Sequence, residues 1–309
     1  MRFVNLGKAK KKLLICELPA SFMDINLLTL INDIKISDTS VMYSSFRNLF
    51  DFVNAPFCKF QVMVGHKLLY RVRSHTKDDG NYHFNNIHEL SYRQDRTNIR
   101  KFGRCNEPIQ SRFYASDDET IAFTEVSEIV RTENKKDTAY YTTSAWKFNQ
   151  NVLVTPIFEP DNIDIENQGL VDITKKCFEI IETSPQIREE DKKELKSFLK
   201  GMAKEFTKPS SVDNNAYLLS AAYSNFLFDT IGYENEKIDG IVYPTCIDKT
   251  TTRSLGLNYV FNNSIIGFDN KIEFIGAYRS RLEKKNIEYY ETERIKNKSF
   301  DKLTGEIVW

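Results

Sequence analysis

The sequence predicts an α+β protein, and two observations carry that prediction. Apolar residues recur at helical spacing over residues 1 to about 65 and again over 160 to 231. Between and after those stretches the texture changes: KLLYRVRS, RFYAS, AYYTTSAWKF and NVLVTPIF are rich in β-branched and aromatic residues and end in turn formers. No internal repeat or low-complexity tract complicates this division.

The elements follow in order. Asp24 is placed to cap INLLTLINDI, and Asp38 to open a helix carrying Val41, Met42, Phe46, Phe50 and Val53 that stops ahead of Pro56. The four strand-like segments come next, with one helix, roughly Glu119 to Val130, inside them. The best-patterned helix runs from Ile187 to Phe206, where Leu195, Phe198, Leu199, Met202, Ala203 and Phe206 fall on one face. A further helix is read as capped by Asp213 and ending at Gly232. Strand texture returns in IDGIVYPT, LNYVFNN, KIEFIGAYRSRL and IEYYETERI. The expected organisation is a helical N-terminal module (1–65), a β-rich core (66–265) with a helical insertion at about 160–231, and a strand-rich C-terminal extension (266–309).

With 309 residues the chain is long enough for one large domain or two modest ones. Lys+Arg and Asp+Glu both number 43, so the net charge is zero and nothing in the composition points to direct binding of nucleic acid. The five cysteines, Cys16, Cys58, Cys105, Cys177 and Cys246, are scattered, and with the four histidines they make no metal-ligand spacing, so no metal is expected. That cysteine usage fits a reducing cytoplasm. The basic N-terminus is followed by only Leu13 to Cys16 before Glu17, too short for a signal-peptide core, and no stretch reaches the roughly 18 apolar residues of a membrane span.

Three segments carry candidate chemistry. LLYRVR puts Arg71 and Arg73 on one face of a strand, because strand side chains alternate. Such an arginine also serves as an edge residue or salt-bridge partner, so the segment alone decides nothing. SYRQDRTNIRKFGRCNEP sets Arg93, Arg96, Arg100, Lys101 and Arg104 against Asp95, a local positive field suited to a phosphate-bearing ligand or to acidic neighbours. FYASDDETIAFTEV passes from strand through an acidic turn into a helix, where Glu125 follows Ala122 by three residues and is either turned inward or exposed. A buried carboxylate there costs on the order of several kcal/mol without a cation or ligand beside it.

These segments stand in a recognisable order. Tyr70-Arg71, then Phe102-Gly103-Arg104-x-Asn106, then Phe113-Tyr114-Ala115-Ser116-x3-Thr120-x-Ala122-x2-Glu125 resembles the RES domain, named for its Arg, Glu and Ser. Ser144-Ala145-Trp146 resembles the family's strand tryptophan, Asp239-Gly240-Ile241-Val242-Tyr243-Pro244-Thr245 its DGIxYPS segment, and Gly256-Leu257-Asn258-Tyr259-Val260-Phe261 its closing G-x-N strand. The resemblance covers roughly residues 68 to 261.

It implies an ADP-ribosyltransferase-like split β core that takes NAD as substrate, in a toxin of a toxin–antitoxin pair. Arg71 would hold a phosphate of NAD together with Arg104. Glu125 would face the nicotinamide ribose, and Thr245 would stand in the Ser position, keeping the hydroxyl but adding a methyl. Tyr82 and Tyr114 are candidates to stack on a ring of NAD, and Asn106 belongs to the same binding set. Cys105 replaces the aromatic residue usual in its segment. Nicotinamide leaves as a neutral base, so anchorage and charge stabilisation matter more than general acids, in keeping with only four histidines. The acceptor is inorganic phosphate, giving ADP-ribose 1″-phosphate, or water. Two other readings are a protein-modifying ADP-ribosyltransferase and a non-catalytic NAD-sensing or partner-binding module. The flanks, 1–65 and 262–309, either brace the core or offer a surface to an antitoxin or a second copy of the chain.

Overall fold

The structure, a computed structural model, describes residues 4–6, 11–13, 27–34, 38–53, 55–57, 59–62, 68–75, 84–126, 138–159, 168–185, 187–208, 216–230, 237–245, 256–285 and 288–309. In chain order the elements are β1 (Val4–Leu6), β2 (Lys11–Leu13), α1 (Leu27–Asp33), α2 (Thr39–Val53), β3 (Phe60–Val62), β4 (Leu69–Ser74), α3 (Ile87–Leu90), β5 (Phe113–Ser116) and α4 (Glu119–Val126). There follow β6 (Thr138–Phe148), β7 (Val152–Pro156), α5 (Gln168–Thr183), α6 (Glu189–Thr207), α7 (Leu218–Asp229), β8 (Gly240–Pro244) and β9 (Leu257–Phe261). The chain closes with β10 (Ile272–Lys285), β11 (Glu288–Lys296), β12 (Ser299–Phe300) and β13 (Ile307–Val308). This is the α+β class. The chain runs alternately through two compact units, one of residues 1–62, 96–110 and 152–246, the other of 63–95, 111–151 and 247–309.

The first unit is a helical cluster with a small sheet, β7 pairing antiparallel with β3 and parallel with β8. α2 begins where the Asp38 carboxylate accepts the amides of Ser40 and Val41 at 2.8 and 3.1 Å, an N-cap that satisfies two otherwise orphaned donors. It buries Phe46 and Phe50, one turn apart. Phe50 sits among Phe198 of α6 and Tyr223 and Phe226 of α7, with ring centroids 5.3 to 6.2 Å apart. Each such ring pair contributes about 0.5–1.5 kcal/mol beyond its buried area. α7 is buried on nearly every side, as its continuous run of small and apolar residues implies.

The second unit is a six-stranded antiparallel sheet in the order β11-β10-β6-β4-β5-β9. Trp146, fully buried, packs edge-on to Phe113 at 5.0 Å and Phe274 at 5.3 Å. The C-terminal tail is tied to the start of α3: Ile87 N donates to Gly305 O, Ile307 N to Asn85 O, and the Trp309 indole to Phe84 O, at 2.8 to 2.9 Å. Gly305 is required there. Its φ is +75°, and a Cβ would lie 3.0 Å from Asn86 Oδ1.

Most expected elements recur with their ends shifted by a few residues. Helix 119–130 is described as far as Val126, and positions 24, 213 and 232, read as caps and a stop, lie outside the described residues. One expectation is corrected: residues 1–65 are not wholly helical. β1 and β2 pair as an antiparallel ladder and β3 joins β7. Three-residue strands are too short to leave an alternating pattern in the sequence. Among the described residues no helix is long and apolar enough to cross a membrane, and no group of three metal-ligating side chains converges.

Candidate active site

A dense polar arrangement in the second unit is the junction of β5, α4 and β9. β5 ends at Ser116, whose buried hydroxyl donates to Leu257 O at 2.9 Å. Asp117 then grips the same residue twice, its amide donating to Leu257 O at 3.1 Å and its carboxylate accepting the Leu257 amide at 2.8 Å. Asp118 caps α4 by accepting the Ile121 amide at 3.0 Å. The acidic turn of the sequence is therefore spent on architecture.

Gly256 allows that closeness. A Cβ there would fall 2.3 Å from Ile121 Cδ1 and 3.0 Å from Asp118 Cβ, so only glycine lets the start of β9 run against α4. Two residues on, Asn258 is buried and donates its amide to Glu125 Oε1 at 2.9 Å, across 133 positions of sequence. Glu125 is half-buried at the last turn of α4, where the buried Ile121, Ala122 and Thr124 hold the helix down. A carboxylate so held has a fixed orientation, a suitable partner for sugar hydroxyls or for positive charge developing on a ring.

Arg71 stands elsewhere in the same unit. β4 alternates as the sequence predicts: Tyr70 and Val72 pack against Ala122 and Phe123 of α4, while Arg71 and Arg73 leave the strand on the opposite face. The β4–β5 ladder is a single pair, Tyr70 with Ser116. Beyond it, the Arg71 guanidinium takes the place of a ladder donor, giving Nη1 to Tyr114 O at 2.6 Å and lying 5.5 Å from the centre of the Phe113 ring. Arg71 Nε is buried and has no hydrogen-bond partner. Burial, and then the nearby charges of Arg73 and Arg93, push its pKa down to about 9, against an upward pull from Tyr114. Its own backbone carbonyl accepts the Ser144 hydroxyl, which in turn accepts the Trp146 indole N–H at 2.9 Å.

The remaining candidates belong to the first unit. Gly103 and Asn106 close a tight turn, Gly103 N donating to Asn106 O at 2.9 Å, with Arg104 and Cys105 at its buried apex. Arg104 gives Nη2 to Lys208 O at 2.7 Å and Nη1 to Glu205 O at 3.3 Å, and lies 4.7 Å from the Tyr217 ring centre and 5.8 Å from that of Tyr243. It thus caps the C-terminal end of α6, where carbonyls lack intrahelical partners and the helix dipole favours a cation. Asn106 directs its amide to Glu107 O at 3.0 Å. Thr245 is buried just past β8. Tyr82 lies outside the described residues, and Tyr114 meets Arg71 through its carbonyl, with a half-buried ring.

The structure thus brings Glu125 together with Asn258, and Arg71 together with Arg73 and Tyr114. Arg71 is directed away from α4, which carries Glu125, and Arg104 belongs to the other unit, at the C-terminal end of α6. Asn258 was named in the sequence only as part of a strand motif. Its signal was the glycine two residues earlier, which marks a close approach of backbone to another element. No family model matches the chain, and neither the curated proteins nor the solved structures hold a match to it.

Proposed function

We propose that this chain cleaves the bond between nicotinamide and ribose in NAD, with Glu125 as the carboxylate facing the ribose and Asn258 as the residue that orients it. The observation that carries this reading is the Asn258–Glu125 hydrogen bond. It joins residues of two RES-like segments that lie 133 positions apart. The RES-like order of segments supplies the substrate class, and the poverty in histidine agrees with a leaving group that needs no proton.

In the proposed step the C–N bond breaks and its electron pair leaves with nicotinamide, a neutral base. The ribose carbon, now bearing positive charge shared with the ring oxygen, is stabilised by Glu125 and attacked by a phosphate oxygen, yielding ADP-ribose 1″-phosphate. An electrostatic group of this kind acts mainly on the transition state, and its removal typically costs about 10²–10³ in rate. Depletion of NAD would stop growth, so a companion antitoxin belongs to the same reading.

Purified protein incubated with NAD, with and without phosphate, is resolved by chromatography. Phosphate-dependent release of nicotinamide and ADP-ribose 1″-phosphate is the expected result, reduced at least ~10²-fold in Glu125→Gln. Labelled protein in place of free product would make the chain a transferase. NAD bound but uncleaved would make it a binding module. Full turnover in Glu125→Gln overturns the assigned role.

A further inference from the structure

Independently of the NAD reading, we infer that β11 is the edge through which two copies of this chain associate. The outer side of the strand pairs antiparallel with β11 of the second copy, about a two-fold axis between positions 292 and 293.

β11 is the outermost strand of its sheet, paired with β10 on one side and, among the described residues, with no strand on the other. Its nine residues therefore leave a row of backbone N–H and C=O groups as a template for a further strand. Charged side chains ordinarily keep such an edge from pairing. In EYYETERIK, however, the acids precede the bases, so an antiparallel copy brings bases against acids.

A bulge decides whether those charges meet. β10 and β11 stay in register from Tyr278–Lys296 to Arg281–Glu293 and again from Leu282–Glu291 onward, so Thr292 is an extra residue. In an unbroken strand, positions 291 and 294 point to opposite faces. The bulge turns them to the same face, where Arg294 Nε donates to the two Glu291 oxygens at 2.9 and 3.1 Å. About the proposed axis, Glu291 lies across from Arg294 of the copy and Arg294 across from its Glu291, as an isologous interface requires. The two pairs close a ring of four alternating charges. On the other face, exposed Tyr290 falls across from half-buried Ile295. Arg294 is already ordered for this, lying 4.1 Å from the Tyr278 ring centre and donating to Glu119 Oε1 at 3.2 Å, so its pairing costs little side-chain freedom. Arg294 and Glu291 stay open to a partner, their side chains 49% and 33% exposed.

Sedimentation equilibrium over a series of protein concentrations compares the wild type with Glu291→Arg, with Arg294→Glu and with the double variant. Thermal melts check folding. The wild type is expected to form dimers. Each single reversal sets like charges across the axis twice and is expected to weaken association ~10-fold or more. An equimolar mixture of the two single variants is expected to associate ~10-fold or more tightly than either alone, because one chain then carries two acids and the other two bases. Mixing leaves each chain's own like-charge pair in place, so that recovery reports contact between copies. The double variant, with opposite charges restored within and between chains, is expected to match the wild type. Should a single variant fail to fold, the wild type at high salt serves instead, and its association is expected to weaken. A wild type that is monomeric at every concentration overturns the pairing. So does association that neither reversal nor salt alters, or a mixture that gains nothing.

Discussion

Gly256→Ala tests the junction that holds Glu125, and its cost can be worked from distances. The new methyl falls 2.3 Å from Ile121 Cδ1, 3.0 Å from Asp118 Cβ and 3.2 Å from Asp117 Oδ1. Carbon atoms at rest lie about 3.5–4.0 Å apart, so something must move by more than 1 Å. Ile121 is fully buried, Asp118 caps α4, and Asp117 holds the Leu257 amide, so none yields cheaply. Overpacking of this kind costs about 1–3 kcal/mol. The same displacement loosens Asn258 from Glu125, and misplacement by ~1 Å lowers turnover by up to ~10². Ile121→Val removes the δ-methyl in the closest contact. Alone it costs about 0.5–1.5 kcal/mol, but beside Gly256→Ala its cost shrinks, because the space it opens is then filled. Both tryptophans, Trp146 and Trp309, belong to the second unit, so their fluorescence in urea follows that unit for the four proteins of the cycle. Additivity within about 0.5 kcal/mol, or an unaltered Gly256→Ala midpoint, refutes the proposed close contact.

Three further outcomes are expected. Arg104→Met leaves the carbonyls of Glu205 and Lys208 without their donor and lowers stability by about 1–3 kcal/mol; a loss of NAD affinity with an unchanged melt would instead make Arg104 a ligand. Asn258→Ala removes a hydrogen bond to a carboxylate, worth about 1.5–3 kcal/mol, and is expected to cut turnover ~10-fold or more while Glu125 remains in place, as measured by initial rates and a melt. Glu273 is buried, and its bonds to Lys302, then Lys147, hold its carboxyl below the usual range despite that burial. Its contribution is therefore complete above the unfolded value near 4.5 and is lost as pH falls through the lower folded value. Glu273→Gln should flatten the acid limb of the stability curve below pH 4.5; an identical limb would show that the ion pairs contribute nothing.

The fold was legible where an element is long or its chemistry local. Asp38, followed by five apolar residues at helical spacing, announced α2, and the β-branched and aromatic runs announced β4 to β10. What stayed hidden was pairing at a distance. Nothing near Glu125 in sequence names Asn258, because the contact depends on Gly256 meeting Ile121, a fact of packing. The arginines divide in the same way. Alternation along β4 correctly put Arg71 with Arg73, since it is a property of one strand. The contacts of Arg104 were not readable from its basic surroundings, because they are carbonyls at the end of a helix 101 to 104 positions away. A guanidinium looks the same in sequence whether it awaits a phosphate or caps a helix.

That distinction bears on how charge is used in this chain. A cation at a helix end is stabilised by dipoles and carbonyls already present. Arg71, beside Arg73 on a strand face, carries instead a depressed pKa and a buried Nε without an acceptor. Folding tolerates such an arrangement only where neighbouring packing over-determines it, here by the Phe113 ring and the Tyr114 carbonyl. Arg71 and the carboxylate that Asn258 fixes lie on opposite faces of β4, so Asn258→Ala should slow turnover and leave the Arg71 bond to Tyr114 O in place.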